Sequence, residues 1–337
     1  MDKVLFFGTD LHNSPTELAS KTVRKLSKSF LDSKVLSIQN VKSLASNPEM
    51  TIIPRIIPIR FFRLIVQSIL LPFYFIYFRL KGYDKILMFW TVNNIYHNLI
   101  LNYLKLLKFK IYFTIISGYD KNYSSLKHCD VIICQSKKMY EFTLSSFPKK
   151  EVRLIYPGVD LGLFKPAEKK NIDFIIFSIP YNPNDFHLRG IDKILDFLRK
   201  NKGLNAIIVS RSDKSSEEIL KLKLKNVKVI SKPLSEKELS KIASQAKIMP
   251  LLYSDRPDMP LSAVEAMSSG CAIICEDLMG LSDFVEENNC GIVSNEINLE
   301  VVNKILNNKT FGKNSRKAAL KNFDEKKMIK TYLSLLK

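Results

Sequence analysis

The sequence predicts an α/β chain of two domains, each a parallel sheet with crossover helices. Short apolar runs of strand length alternate with helix-like stretches along its length. The alternation breaks at Tyr156-Pro157-Gly158-Val159-Asp160, with Pro166 beyond, where proline and glycine suit a linker. At roughly 100 to 200 residues per domain, a chain of 337 residues accommodates two cores comfortably and one only with strain.

In the first half, Val4-Leu5-Phe6-Phe7-Gly8 reads as a buried strand closed by glycine. Ser14-Pro15-Thr16-Glu17 then supplies an N-cap, a first-turn proline and a capping-box glutamate for a helix to about Phe30. Strands are predicted at 34–38, 86–90, 111–116 and 131–134, with a helix over 94–107, and the pattern ends near Ile155. In the second half strands are predicted at 174–179, 205–209, 227–230, 248–252 and 272–275, with helices near 191–199, 235–245 and 261–269. Ser235 and Glu238 form a capping box, and Gly270 stops the third of these helices. The expected boundaries are 1–157, 158–323 and an amphipathic terminal run over 324–337.

Hydrophobic residues make up 46% and charged residues 25%, which excludes a wholly disordered chain and a multi-span membrane protein. Lys plus Arg number 52 against 33 Asp plus Glu, a formal +19 that favours anionic partners. The first 165 residues hold 24 of the bases and 11 of the acids, so the excess concentrates there. Between Glu49 and Asp120 the only acid is Asp84, against nine bases. No recognition motif accompanies the charge, so nucleic acid is not an expected partner.

Within this basic region Leu64–Phe78 is apolar apart from Gln67 and Ser68. As a helix its 15 residues span roughly 22 Å against about 30 Å of hydrocarbon, so it does not cross a membrane. Two readings of segment 60–81 stand open: a helix lying on an anionic membrane surface, with Arg60, Arg63, Arg79 and Lys81 at its edges, or a buried helix of the first domain. Five cysteines in no CxxC or zinc-finger spacing read as reduced core residues. No Asp-x-Asp triplet or His/Cys/Asp cluster calls for a metal. Residues 4–7 are too short an apolar run for a signal-peptide core, so the expected location is the cytoplasm, with a peripheral seat on the membrane's inner face under the first reading.

The chemistry concentrates in Asp255-Arg256-Pro257-Asp258-Met259-Pro260-Leu261-Ser262-Ala263-Val264-Glu265-Ala266-Met267-Ser268-Ser269-Gly270, a loop entering a helix at about Leu261. A helix N-terminus offers free N–H groups and about half a positive charge, suited to a diphosphate or sugar hydroxyls. Glu265, one turn in, is placed to reach a ribose diol; the alternative is a solvent-facing helix position.

This stretch resembles the signature of the family 4 glycosyltransferases, in which two glutamates flank a Gly/Pro loop leading into an Ala-Met-small-small-Gly turn. Tyr156–Asp160 with Phe164-Lys165-Pro166 is similar to that family's hinge. Arg189-Gly190 sits where the family has Lys-Gly, and Val227–Ile230 with Pro233-Leu234 is similar to the stretch before the signature. The resemblance implies a GT-B fold, two Rossmann-like domains facing a cleft, with the terminal run crossing back to the first. It also implies a retaining hexosyltransferase that uses a nucleotide sugar as substrate, without cofactor or metal, and a glycan or lipid-linked acceptor on the first domain.

Carried over by position, Glu265 holds the donor ribose and Arg189 the diphosphate, while Asp258, Met259, Pro260 and Leu261 lie along the donor sugar. Pro233 borders the donor site, and Gly8 faces the cleft from the first strand. The sequence departs from the family at three places. The first glutamate falls on Pro257, leaving Asp258 as the substitute carboxylate; the arginine at the end of the second domain's first strand falls on Ile179; and Ser117-Gly118-Tyr119-Asp120 stands for His-Gly-x-Asp. Asp258, Ser117 and Asp120 are therefore the candidate catalytic groups. His97 and His187 rank lower, since a lone histidine is more often structural. The departures also admit a non-catalytic binding or scaffold subunit on the same fold, and a nucleotide-sugar epimerase is a further alternative.

Overall fold

The computed structural model describes residues 3–8, 18–30, 32–39, 50–54, 60–90, 94–116, 123–177, 179–253, 259–277 and 280–337. They form two compact units, Met1–Ile155 with Ile329–Lys337, and Tyr156–Met328. The cap at Ser14–Glu17 and residues Ser117, Asp120, Pro257 and Asp258 lie outside the described residues.

The first unit runs β1 (Val4–Gly8), α1 (Leu18–Ser27), β2 (Ser33–Gln39), β3 (Met50–Pro54), α2 (Arg60–Leu80), β4 (Lys85–Trp90), α3 (Asn94–Leu106), β5 (Lys110–Ile115), β6 (Val131–Cys134), α4 (Lys137–Ser146) and β7 (Glu151–Leu154). Its seven strands pair in parallel in the order β3-β2-β1-β4-β5-β6-β7. The central strands are continuous apolar runs because helices cover both faces: Val4 to Phe7 are all buried, and Phe7 registers with Leu36 on one side and Met88 on the other.

Helix α2 extends the apolar run of the sequence by four residues at its start and two at its end, with Pro72 inside. Leu71, Phe75 and Phe78, one stripe at helical spacing, enter the core, and the Phe75 ring meets Phe7 edge-on at 5.4 Å between centroids. The segment is thus a helix of the first unit, and between residues 69 and 80 it buries one face and exposes another. Ile69, Phe73, Ile76, Tyr77 and Leu80 form a second, exposed stripe. Among the described residues no helix is long and apolar enough to cross a membrane.

The second unit runs β8 (Ile172–Ile176), α5 (Ile191–Lys200), β9 (Ala206–Ser210), α6 (Asp213–Lys221), β10 (Val227–Ser231), α7 (Glu236–Ser244), β11 (Ala246–Leu251), α8 (Leu261–Ser268), β12 (Ala272–Cys275), α9 (Ser282–Glu287), β13 (Gly291–Val293), α10 (Leu299–Leu306) and α11 (Thr310–Asn322), and then begins α12 (Glu325–Leu336). Six parallel strands take the order β10-β9-β8-β11-β12-β13. The strand expected to reach Ile179 stops at Ile176, ahead of Pro180, which has no N–H to give a ladder. The capping box at the start of α7 forms in both directions: Ser235 Oγ accepts from the Glu238 N–H, and the Glu238 carboxylate accepts from the Ser235 N–H at 2.9 Å.

Helix α12 starts in the second unit and ends in the first. There Tyr332 is buried with its hydroxyl 3.3 Å from Thr114 Oγ1, and the Lys85 ammonium donates to the Leu336 carbonyl at 2.7 Å.

Candidate functional site

In the second sheet the strand order reverses between β8 and β11, and the connections leaving those two strands diverge at their carboxyl ends. A crevice at such a switch point is where open parallel sheets take ligands. The connection after β8 winds into a 3₁₀ turn, Pro183–Arg189, capped by Asn182, whose Oδ1 accepts the Asn184 N–H at 3.2 Å. The turn closes on Gly190 in the left-handed region, φ +61°. A Cβ there would stand 2.4 Å from Leu252 Cβ and 2.7 Å from the Leu252 carbonyl, so only glycine lets this turn lie against the end of β11. Gly190 is also the N-cap of α5, which leaves that helix start without a side-chain cap.

This close approach places Arg189 over Tyr253, the second residue beyond β11, with the guanidinium carbon 4.4 Å from the ring centroid. Tyr253 is buried in the core of the unit while Arg189 is half-buried, so the ring forms a floor and one face of the guanidinium stays open. Among the described residues Arg189 makes no ion pair and no hydrogen bond. A cation in a crevice with its donors unused is an anion site in waiting.

Helix α8 points its N-terminus out of the same edge of the sheet. Its N-cap, Pro260, supplies no side-chain acceptor, while the Met259 side chain is buried and that of Leu261 packs against the core. What this turn offers a ligand is therefore backbone N–H. The opposite end of α8 is closed by cations. Arg316 donates to the carbonyls of Ser268 at 2.8 Å, Phe164 at 2.7 Å and Leu161 at 3.0 Å. Lys170 donates to Ser269 at 3.0 Å, Gly270 at 2.6 Å and Ala246 at 2.7 Å, with burial pulling its pKa below the usual lysine value. Gly270, φ +72°, makes the stop. Positive charge thus satisfies the helix's negative end.

Glu265 is 4% exposed, so it is not a solvent-facing helix position. It is a carboxylate on the second turn of α8, buried despite its cost of desolvation. A second buried carboxylate, Glu276, follows β12 and is 2.9 Å from Lys193, one turn into α5. The sequence reading missed this pair, as it missed Tyr253, because their partners lie 64 to 83 residues away in the chain.

The remaining candidates separate. Pro233 is exposed beyond the edge strand β10, two strands from the switch point. Gly8 ends β1 in the first unit. Ile179 is half-buried and packs against apolar core residues of the second unit. His97 is buried in the first unit, and His187 is exposed in the 3₁₀ turn. All five cysteines are free and buried; burial pushes Cys290 up to about 11 and Cys134 up to about 12.

Two parallel α/β units, the second with a cation and two helix starts at its switch point whose N-cap residues give no side-chain bond, have the GT-B fold. Residues 168–322, all within the second unit, match the model of the family Glycosyl transferases group 1. Sucrose-phosphate synthase from Thermosynechococcus elongatus superposes with a TM-score of 0.75 at 16% identity, over 99% of this chain and 98% of that one. Anabaena HepE in complex with UDP gives 0.73 at 13%, over 99% of both chains. The α,α-trehalose 6-phosphate synthase of Burkholderia multivorans gives 0.68 at 9%, over 100% and 98%. No curated protein matches in sequence.

Proposed function

We propose that the protein transfers a sugar from a nucleotide-sugar donor, held by the second unit, to a glycan or lipid-linked acceptor, with retention of anomeric configuration. The observation that carries this is Arg189, stacked on Tyr253 with its donors unused at the switch point, in a domain that matches the Glycosyl transferases group 1 model. HepE, a structural neighbour, is known with UDP and with UDP-glucose.

In this reading the Arg189 guanidinium takes two oxygens of the donor diphosphate, and the N-terminal turn of α8 faces the sugar and the phosphate next to it. Glu265 accepts hydrogen bonds from the ribose diol. As the bond from the anomeric carbon to the phosphate oxygen breaks, charge grows on the diphosphate, and Arg189 with the helix N-terminus stabilises that charge. The acceptor hydroxyl attacks from the face the phosphate leaves, its oxygen bonding to the anomeric carbon while its proton passes to the departing phosphate oxygen. Configuration is retained, and no enzymic base is required at Ser117. Asp258, Ser117 and Asp120 are the side chains proposed to line the reacting centre.

The test is a thermal-shift screen against UDP, GDP, dTDP and their sugar conjugates, followed by Glu265→Gln and Arg189→Ala. A ligand at 100 times its Kd stabilises by roughly 2.7 kcal/mol, a shift of several degrees. One nucleotide class should stand out, with the shift abolished by Arg189→Ala and weakened by Glu265→Gln. A non-catalytic reading is favoured by Ile179, whose packing leaves no cation at the family's arginine position; nucleotide binding without donor turnover would select it.

A further inference from the structure

The core of the first unit takes Leu71, Phe75 and Phe78 of α2 and leaves a second apolar stripe of that helix at the surface. Ile69, Phe73, Ile76, Tyr77 and Leu80 follow one another at helical spacing, with Phe73 65% and Leu80 83% exposed. Helix α3 stands alongside: Arg79 Nε donates to the Leu107 carbonyl at 2.9 Å, and the Tyr103 hydroxyl reaches the Pro72 carbonyl at 3.4 Å. These contacts join the two helices, and at the end of α3 Leu106 is likewise 73% exposed. Scattered exposed apolar residues need no explanation, but a contiguous aromatic and aliphatic face does.

Cations rim this face. The Lys81 ammonium lies 5.8 Å from the Tyr77 ring centroid, and Lys81 and Lys108 are both exposed just past the ends of α2 and α3. The flanking acids are few: Asp130 is paired with Lys105, Asp32 with Lys3, whose ammonium also donates to the Lys81 carbonyl, and Asp84 is the only acidic residue between Glu49 and Asp120. The two helix ends also differ in a telling way. Helix α2 stops at Gly82 with φ +88°, the residue that such a backbone prefers, whereas α3 stops at Lys108 with φ +59°. A lysine held in the left-handed region accepts strain that a glycine would avoid, and puts a charge at the rim.

We infer that the exposed face of α2 with the end of α3 docks the protein on the surface of an anionic lipid bilayer, the apolar stripe entering the headgroup boundary and Lys81 and Lys108 contacting acidic headgroups. An excess of bases around this face, with Asp32 and Asp130 both paired, selects this occupant over a second copy of the chain, which would bring like charge against like. The inference stands apart from the nucleotide reading, since it uses none of the residues of the second unit.

The experiment is sedimentation of the full chain with vesicles of phosphatidylcholine alone and with added phosphatidylglycerol, at low and high salt. The parent should bind the anionic vesicles, and salt should weaken that binding. The triple variant Phe73→Ser, Tyr77→Ser, Leu80→Ser changes only exposed positions and should lose binding at least tenfold with its thermal response to nucleotides unchanged. Lys108→Gly is the sharper variant: it should raise Tm by relieving the backbone, yet lower vesicle affinity about fivefold. Indifference of the parent to anionic lipid, or full binding by the triple variant, would overturn the inference. So would a concentration-dependent oligomer in solution that the triple variant dissolves, which would assign the face to a protein partner.

Discussion

Removing the Arg189 guanidinium gives the most exacting prediction. The site holds this cation by stacking on Tyr253 at 4.4 Å and by no hydrogen bond among the described residues, so its donors are available to a diphosphate. A hydrogen bond to a charged group contributes about 1.5 to 3 kcal/mol, so losing a bidentate contact should cost roughly 3 kcal/mol, or about 150-fold in Kd. The ring is a positioning element worth about 0.5 to 2 kcal/mol, so Tyr253→Leu should weaken binding roughly 2- to 30-fold while Tyr253→Phe leaves it essentially unchanged. The Tyr253 hydroxyl is buried and has no hydrogen-bond partner among the described residues, so the phenylalanine variant should be at least as stable as the parent. The assay is titration calorimetry with UDP and with uridine, or with whichever base the screen selects. Both Arg189→Ala and Tyr253→Leu should weaken the diphosphate and leave the nucleoside unchanged. Equal losses for the two ligands, or none for either, would refute the assignment of Arg189 to the phosphates.

Other predictions concern the frame. Arg316→Ala leaves the carbonyls of Leu161, Phe164 and Ser268 without their donor and should cost about 2 to 4 kcal/mol in urea unfolding, with nucleotide affinity falling as α8 loosens; an unchanged midpoint would show that water replaces it freely. Gly190→Ala, whose Cβ would meet Leu252 at 2.4 Å, should destabilise the second unit and abolish nucleotide binding, and a normal response by this variant would contradict the packed turn. Asp32 accepts from the Tyr83 hydroxyl at 2.6 Å and pairs with Lys3, which holds its pKa below the ordinary 3.8. The unfolded chain then binds the proton first, so this contribution is complete above about pH 4 and is lost as pH falls through the folded value. Asp32→Asn should accordingly flatten the acid limb of the stability curve below pH 4, and an unaltered limb would remove Asp32 as a cause. The five buried thiols should resist a thiol reagent at pH 8 until the protein unfolds, when all five react; fast labelling of any one would contradict its burial.

What the sequence reveals follows the range of the interactions involved. The capping box of Ser235 and Glu238 is read correctly because both its bonds close within three residues, and β12 is read to the residue because Ala272–Cys275 is apolar between Gly270 and Glu276. The half-buried β13, only three residues long, gives no apolar run to detect, and β3 is recognisable only through its parallel pairing with β2. For α2 the apolar run is plain, but the choice of Leu71, Phe75 and Phe78 over Ile69, Phe73 and Tyr77 as the core face is made by the sheet beneath it. The same division holds at the site. Glu265, Arg189 and the turn at Met259–Leu261 stand out as a local pattern, whereas Tyr253 under Arg189 and Glu276 against Lys193 come together only when β11 and β12 are laid beside β8. Sequence motifs expose single candidate groups, and the tertiary fold adds the groups that hold them.

The most direct test of the central claim is to follow a panel of α-linked nucleotide sugars by proton and phosphorus NMR in the presence of the protein and a membrane-derived glycan or glycolipid fraction. The transfer reading predicts that one donor is consumed, that its nucleoside diphosphate is released, and that the new anomeric signal belongs to the α-linked product. A panel left intact, or a β-linked product, would contradict it.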